Sequence, residues 1–188
     1  FGLEAGRYLL FHGAFEPKKN LARLIEAYLT ADLATPLVLA GPEGWDARDA
    51  LQQLDRAGAG DARVRRLGYL PEAQLALLVQ GARAALFPSL AEGFGLPALA
   101  AMRVGVPLLA SHAGALPELV GDAALRVDPY DVDAIRAALV AIDADPQLRA
   151  RLAAAGPSRA QGFAMAPYRA RLDALHARLL SVSPGEVS

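Results

Sequence analysis

The chain has 188 residues, 54% of them hydrophobic and 21% charged, with a formal net charge of −1 and no cysteine. A chain of this size buries roughly 70% of its unfolded surface, enough for one domain without a covalent staple. Without cysteine there are no disulfides or thiolate metal sites, which fits a reducing compartment. Charges of both signs are scattered, so neither a nucleic-acid face nor a polybasic membrane patch is expected. No apolar run reaches the roughly 18 residues of a membrane span. Phe1 to Arg7 lack the charged start and apolar centre of a signal peptide. They lead abruptly into a strand, and the sequence reads as a piece of a longer protein.

Short apolar runs alternate with longer stretches of helical period. Tyr8 to Phe11 predicts a buried strand. Asn20 is placed to cap a helix over Leu21 to Thr30, whose Leu21, Leu24, Ile25 and Tyr28 share one face. Leu37 to Ala40 is the second strand, and Asp46 opens a helix running to about Arg56. Val64 to Leu67 is the third strand, with a helix from Glu72 to Gln80 behind it. Ala84 to Phe87 is the fourth strand, followed by a helix from Pro97 to Val104. Pro107 to Ala110 and Leu125 to Val127 are the fifth and sixth strands. Helices then begin at Asp131, at Pro146 (to about Ala155) and at Pro167 (to Leu180), the last two with proline at the start. Unbroken apolar strands between helices predict an α/β fold: a Rossmann-like, doubly wound parallel sheet of about six strands with extra C-terminal helices. The expected domain covers residues 1–180, with a flexible tail over 181–188.

Ligands of such sheets bind beyond the carboxyl ends of the strands. Two strand ends carry chemistry here: Gly13 to Asn20 after the first, and Pro88 to Pro97 after the fourth. Gly93 and Gly95 let a ligand approach the backbone, and Pro97 suits the first turn of a helix whose free N–H groups attract anions. The same glycines serve equally for a purely steric turn. Lys18 and Lys19 can neutralise charge on a departing diphosphate, or form a solvated turn. Glu92 opens the second loop, where a carboxylate suits sugar hydroxyls better than phosphate. His12 ends the first strand and can donate to a ligand or serve the core. His112 ends the fifth strand, and His176 lies on the last helix. The three histidines lack metal-ligand spacing, so no metal is expected. Ser89 and Ser111 lack the setting of a nucleophile elbow.

Several segments occur in an order that resembles a known family. They are Gly13 to Asn20, Leu39-Ala40-Gly41-Pro42, Leu67 to Pro71, Phe87-Pro88-Ser89, Glu92 to Pro97, Gly114 to Glu118, Gly121 to Ala124 and Asp128-Pro129. Over roughly residues 7–180 the sequence is similar to the C-terminal, donor-binding domain of the family 4, or group 1, retaining glycosyltransferases. The resemblance implies one half of a GT-B fold, with an acceptor-binding N-terminal domain upstream. It implies transfer of a mannose- or glucose-like hexose, with retention, from a GDP- or UDP-linked sugar to an acceptor glycan or lipid-linked sugar. No cofactor is implied, and this domain alone is expected to be inactive. By position, Lys19 matches the lysine on the donor diphosphate and Glu92 the first glutamate of a Glu-x7-Glu motif that approaches the transferred sugar. Gly93, Phe94, Gly95 and Leu96 match the loop at sugar and phosphate. Gly13 and Lys18 belong to the first donor loop, and Leu70 and Leu75 fall where the base is flanked. A role in cell-surface polysaccharide synthesis follows, with an enzyme in the cytoplasm, held at the inner membrane face through its other domain.

Two positions depart from the pattern. Ala100 stands where the second glutamate, which binds the ribose, is expected. Ala14 stands where an arginine is frequent. Losing charge-assisted hydrogen bonds costs about 1.5–3 kcal/mol. These departures keep open a degenerate, non-catalytic GT-B domain with a binding or regulatory role. A nucleotide-sugar epimerase shares the architecture. A dinucleotide oxidoreductase is disfavoured by the incomplete glycine fingerprint and by Glu43, which lies beyond Gly41-Pro42.

Overall fold

A computed structural model describes residues 1–44 and 63–181. The helix expected from Asp46 to Arg56 and the tail from residue 182 lie outside the described residues. The elements run β1 (Leu9–His12), a 3-10 turn (Pro17–Lys19), α1 (Leu21–Thr30), β2 (Leu37–Ala40), β3 (Val64–Gly68) and α2 (Glu72–Gln80). They continue through β4 (Ala84–Phe87), α3 (Leu96–Arg103), β5 (Leu108–Ser111), α4 (Leu116–Val120) and β6 (Ala124–Val127) to α5 (Val132–Ala144), α6 (Pro146–Gln161) and α7 (Met165–Ser181). The strands form one parallel sheet in the order β3-β2-β1-β4-β5-β6, the Rossmann-like arrangement that the alternation of elements predicts.

Successive residues of a strand face opposite sides of the sheet, and here both sides are covered. Leu9, Phe11, Leu37, Leu39 and Leu86 pack with α1 and α5 on one side. Leu10, Val38, Ala85, Phe87 and Ala110 pack with α2, α3 and α4 on the other. Apolar residues therefore fill the inner strands up to the carboxyl ends of β1 and β5, where His12 and Ser111 sit, which is why these read as unbroken runs. The edge strands β3 and β6 differ: Arg65 and Arg66 sit in β3 and Arg126 in β6, and both strands are only partly buried.

Four local expectations change. Asn20 does not cap α1 through its side chain; its backbone is left-handed at φ 62°. Its amide instead donates to the Pro88 carbonyl (2.9 Å) and the Pro129 carbonyl (2.6 Å). One buried side chain thus ties the loops after β4 and β6 to the start of α1. The short helix α4 lies within Gly114 to Gly121, where sequence periodicity offers too few residues to register. Helix α6 does not stop near Ala155 but runs through Pro157. Gly156 lets it sit against Met102: an added Cβ would fall 3.0 Å from the Met102 carbonyl oxygen. Packing against α3 thereby outweighs the hydrogen bond that Pro157 cannot make. Helix α7 starts at Met165, and Pro167 occupies its first turn, where no intrahelical N–H bond is lost.

Candidate active site

The strand order reverses between β1 and β4. The loop after β1 and the loop after β4 therefore lead to opposite faces of the sheet and leave a crevice at their start. Backbone geometry holds these loops in register. The Leu90 N–H donates to the Lys18 carbonyl across the crevice at 2.7 Å. Gly41 lies so close to Gly13 that a Cβ on it would fall 1.9 Å from the Gly13 carbonyl oxygen. Gly114 has φ 62°, and a Cβ there would meet the Glu92 amide nitrogen at 2.8 Å. The Ala115 N–H donates to the Glu92 carbonyl at 3.1 Å. The segment after β5 thereby clamps the backbone of Glu92.

Lys19 and Glu92, 73 residues apart, meet across the crevice. The Lys19 ammonium lies 2.7 Å from Glu92 Oε1, with both side chains largely buried. The buried Ser89 hydroxyl donates to the same oxygen at 2.9 Å. Oε1 is thus held twice, and among the described residues Oε2 has no partner. This leaves one carboxylate oxygen to accept a hydrogen bond from a ligand hydroxyl. The Lys19 ammonium retains donors beyond the one it gives Glu92.

Beside this pair lies a cavity of about 490 Å³. Its floor is His12, Gly13 and Ala14 from the end of β1, with Ala40, Gly41 and Pro42 from β2. One wall is α2 and the turn before it, with Leu70, Leu75 and Val79. The other is α3, with Leu96, Pro97, Ala100 and Val104. The walls are apolar and suit a planar or hydrocarbon surface. Helix α3 begins after Gly95, which is left-handed at φ 94°, and the first intrahelical bond runs from the Leu99 N–H to the Gly95 carbonyl. The N–H groups of Leu96 and Ala98 have no helical acceptor and, with the helix dipole, favour an anion at this mouth.

Gly13, Leu70, Leu75 and Leu96 all line the cavity, and Lys19 and Glu92 lie beside it as a pair. Gly93 is exposed and open. Gly95 is buried, forming the turn into α3. The Phe94 ring packs edge-on against Phe163, 5.9 Å between centroids, and Arg159 stacks on Phe163 in turn. The Phe94 ring is nonetheless about half-exposed. Lys18 is exposed and pairs with Glu16 at 2.9 Å; that hydrogen bond and charge raise its pKa. Its ammonium lies outside the cavity lining. Ala14 and Ala100 both line the cavity, so neither departure is replaced by a charged side chain of the loop. Sequence reasoning missed Ser89 as the partner of Glu92; the signal was its spacing of three residues on the same loop. It also missed Gly114, whose role needs the third dimension.

His12 is buried beside Phe87, with which it makes an edge-on contact at 5.1 Å between centroids. Burial first, and the nearby Lys19 charge second, lower its pKa to about 4. Its Nε2 is buried with no hydrogen-bond partner among the described residues. No group of three or more potential metal-ligating residues occurs among the described residues, and none of the described helices is long and apolar enough to cross a membrane.

A doubly wound parallel sheet with a lysine–glutamate pair at its switch point, beside an apolar cavity and a helix N-terminus, defines a Rossmann-like α/β domain with a ligand crevice at the place where such sheets bind. Residues 3–159 match the family described as glycosyl transferases group 1, and the chain belongs to that family. It is 42% identical over 160 residues to O-antigen chain mannosyltransferase B of Escherichia coli, an alignment covering 83% of this chain and 42% of that protein. Sucrose-phosphate synthase of Thermosynechococcus elongatus superposes with a TM-score of 0.81 at 28% identity, over 96% of this chain and 47% of that one. HepE of Anabaena in complex with UDP and glucose superposes with a TM-score of 0.79 at 22% identity, over 92% of this chain and 49% of that one, a likeness of fold. The chain spans less than half the length of these proteins.

Proposed function

We propose that this chain is the donor-binding half of a retaining hexosyltransferase that takes a mannose- or glucose-like residue from a GDP- or UDP-linked sugar. The observation that carries the reading is the Lys19–Glu92 pair at the switch point, next to an apolar cavity of about 490 Å³. The base lies between Leu70 and Leu75. The diphosphate lies at Lys19 and the N-terminus of α3, beside the backbone of Gly93 to Leu96. The free oxygen of Glu92 accepts a hydroxyl of the transferred sugar. When the anomeric C–O bond breaks, its electron pair stays on the diphosphate, and Lys19 with the helix N–H groups stabilises that charge. The acceptor oxygen bonds to the anomeric carbon on the face the diphosphate leaves, and its proton passes to the departing diphosphate oxygen.

The likeness to an O-antigen chain mannosyltransferase supports a mannose donor and a glycan acceptor; the acceptor proposed here is a cell-surface glycan or a lipid-linked sugar. The acceptor side belongs to an N-terminal domain outside this sequence, so the isolated chain does not turn over. Helix α7 supports this division: Met165, Tyr168, Leu175 and Leu179 are exposed along it, and an exposed apolar stripe marks an interaction site. The enzyme acts in the cytoplasm, held at the inner membrane face through that domain.

A melting assay tests the reading. Millimolar GDP or UDP raises the melting temperature of the chain, and Lys19→Ala removes the rise. Ala14 and Ala100 favour a second reading, a fold kept without donor binding. No shift with either nucleotide selects that one.

A further inference from the structure

We infer that His12 is a specificity-determining residue, whose buried Nε2 hydrogen-bonds a ribose hydroxyl of the donor nucleotide. The inference rests on the proposed nucleotide site and adds to it a contact that family motifs do not assign.

Buried polar atoms in folded proteins almost always have a partner, and one left without calls for an explanation. His12 Nε2 is such an atom. His12 also lines the cavity, at the carboxyl end of the central strand β1. The other polar side chains in the lining, from Tyr69, Glu72 and Gln80, are exposed. His12 is therefore the buried polar group in an otherwise apolar floor. A histidine serving only the core would be expected to have both ring nitrogens satisfied or to be replaced by an apolar residue. At this position the alternation of β1 already turns the side chain to the α2 and α3 side, and a leucine or phenylalanine would fill it.

The order of groups in a nucleoside diphosphate fixes which part meets His12. The diphosphate is held at Lys19 and the start of α3, and the base at Leu70 and Leu75. The ribose joins them and lies over the end of β1, between the two helices. Lys19 is near enough for its charge to act on the imidazole, so His12 adjoins the phosphate end. The imidazole is neutral at pH 7, with its pKa lowered to about 4 by burial and Lys19. It can therefore accept from or donate to a hydroxyl, and it does not compete with Lys19 for the phosphates. Ala100 across the cavity offers no side-chain polar atom, which leaves this bond to His12.

The test uses the 188-residue chain labelled with 15N-histidine. GDP and UDP are added in turn, and the ring-nitrogen resonances are followed, with His176 on α7 as the internal control. Binding is expected to move His12 Nε2 and leave His176 in place. In parallel, the ribonucleotides are compared with their 2′-deoxy and 3′-deoxy analogues, in the wild-type chain and in His12→Phe and His12→Asn. The wild type should prefer the ribonucleotide over at least one deoxy analogue by about tenfold, the scale of one buried hydrogen bond, and His12→Phe should lose that preference. Nucleotide binding that leaves His12 Nε2 unmoved, or an undiminished preference in His12→Phe, overturns the assignment and leaves the nucleotide site standing. Absence of binding by either nucleotide overturns both. The resonance measurement needs no variant, so a misfolded substitution does not shield the inference.

Discussion

Lys19 and Glu92 show how two residues distant in sequence become one device. Each alone had a solvated-surface reading; at 2.7 Å and largely buried, they form a charged pair with unused hydrogen-bonding capacity. Ser89 fixes which oxygen of Glu92 remains free. Ala100 is the residue at which the site is weakest. It is exposed on the cavity wall, so a longer side chain fits there without displacing the core. Ala100→Glu should tighten GDP or UDP binding by roughly tenfold or more, from about 1.5–3 kcal/mol of charge-assisted hydrogen bonding; calorimetric titration checks this, and unchanged affinity would show that the ribose is not within its reach. His12 carries a pH dependence. Its pKa is about 4 in the folded chain against an ordinary 6.5, so between those values the unfolded chain binds a proton that the folded chain does not. Stability therefore falls as pH drops from about 6.5 to about 4, by roughly 3 kcal/mol for this group. Lys19 acts in the same direction on it. Thermal melts across that window should show a shallower decline in His12→Phe than in the wild type.

At the scale of elements, the strand ends are built by close backbone approach. Gly41→Ala would place a Cβ 1.9 Å from the Gly13 carbonyl oxygen, and neither backbone can yield without separating β1 from β2. Its cost should be roughly 3 kcal/mol, visible as a lowered denaturation midpoint. Gly93→Ala meets nothing within 4 Å and should change stability by less than about 0.5 kcal/mol. Two glycines of the same region are thus separated by experiment into a structural and a permissive one. The strands and most helices were legible in the sequence because burial on both faces demands unbroken apolar runs, as at Leu37 to Ala40. Helix α4 was not, since five residues carry too little period. The continuation of α6 through Pro157 was not either, because the compensation comes from Met102 on another element. In the same way, the lysine and the glutamate were legible as candidates, but their pairing depends on which strands neighbour each other. Asn20 had the sequence signature of a cap and is used as a brace, a choice decided by the carbonyls of Pro88 and Pro129 that the fold brings to it.

At the scale of the whole molecule, one parallel sheet carries described helices on both faces and opens a crevice at its switch point, while α7 presents an apolar stripe to solvent. Because Leu175 and Leu179 are exposed, Leu175→Glu and Leu179→Glu should leave the melting temperature of this chain nearly unchanged, within about 0.5 kcal/mol. A large loss would mean that α7 is part of the core. The crevice between β1 and β4 is proposed to hold a nucleoside diphosphate sugar through Lys19 and Glu92. A crystal structure of the chain with GDP-mannose or UDP-glucose tests it most directly. The base is expected between Leu70 and Leu75, the diphosphate within hydrogen-bonding distance of Lys19 Nζ, and a sugar hydroxyl on Glu92. A nucleotide bound elsewhere, with the Lys19–Glu92 pair untouched, would contradict it.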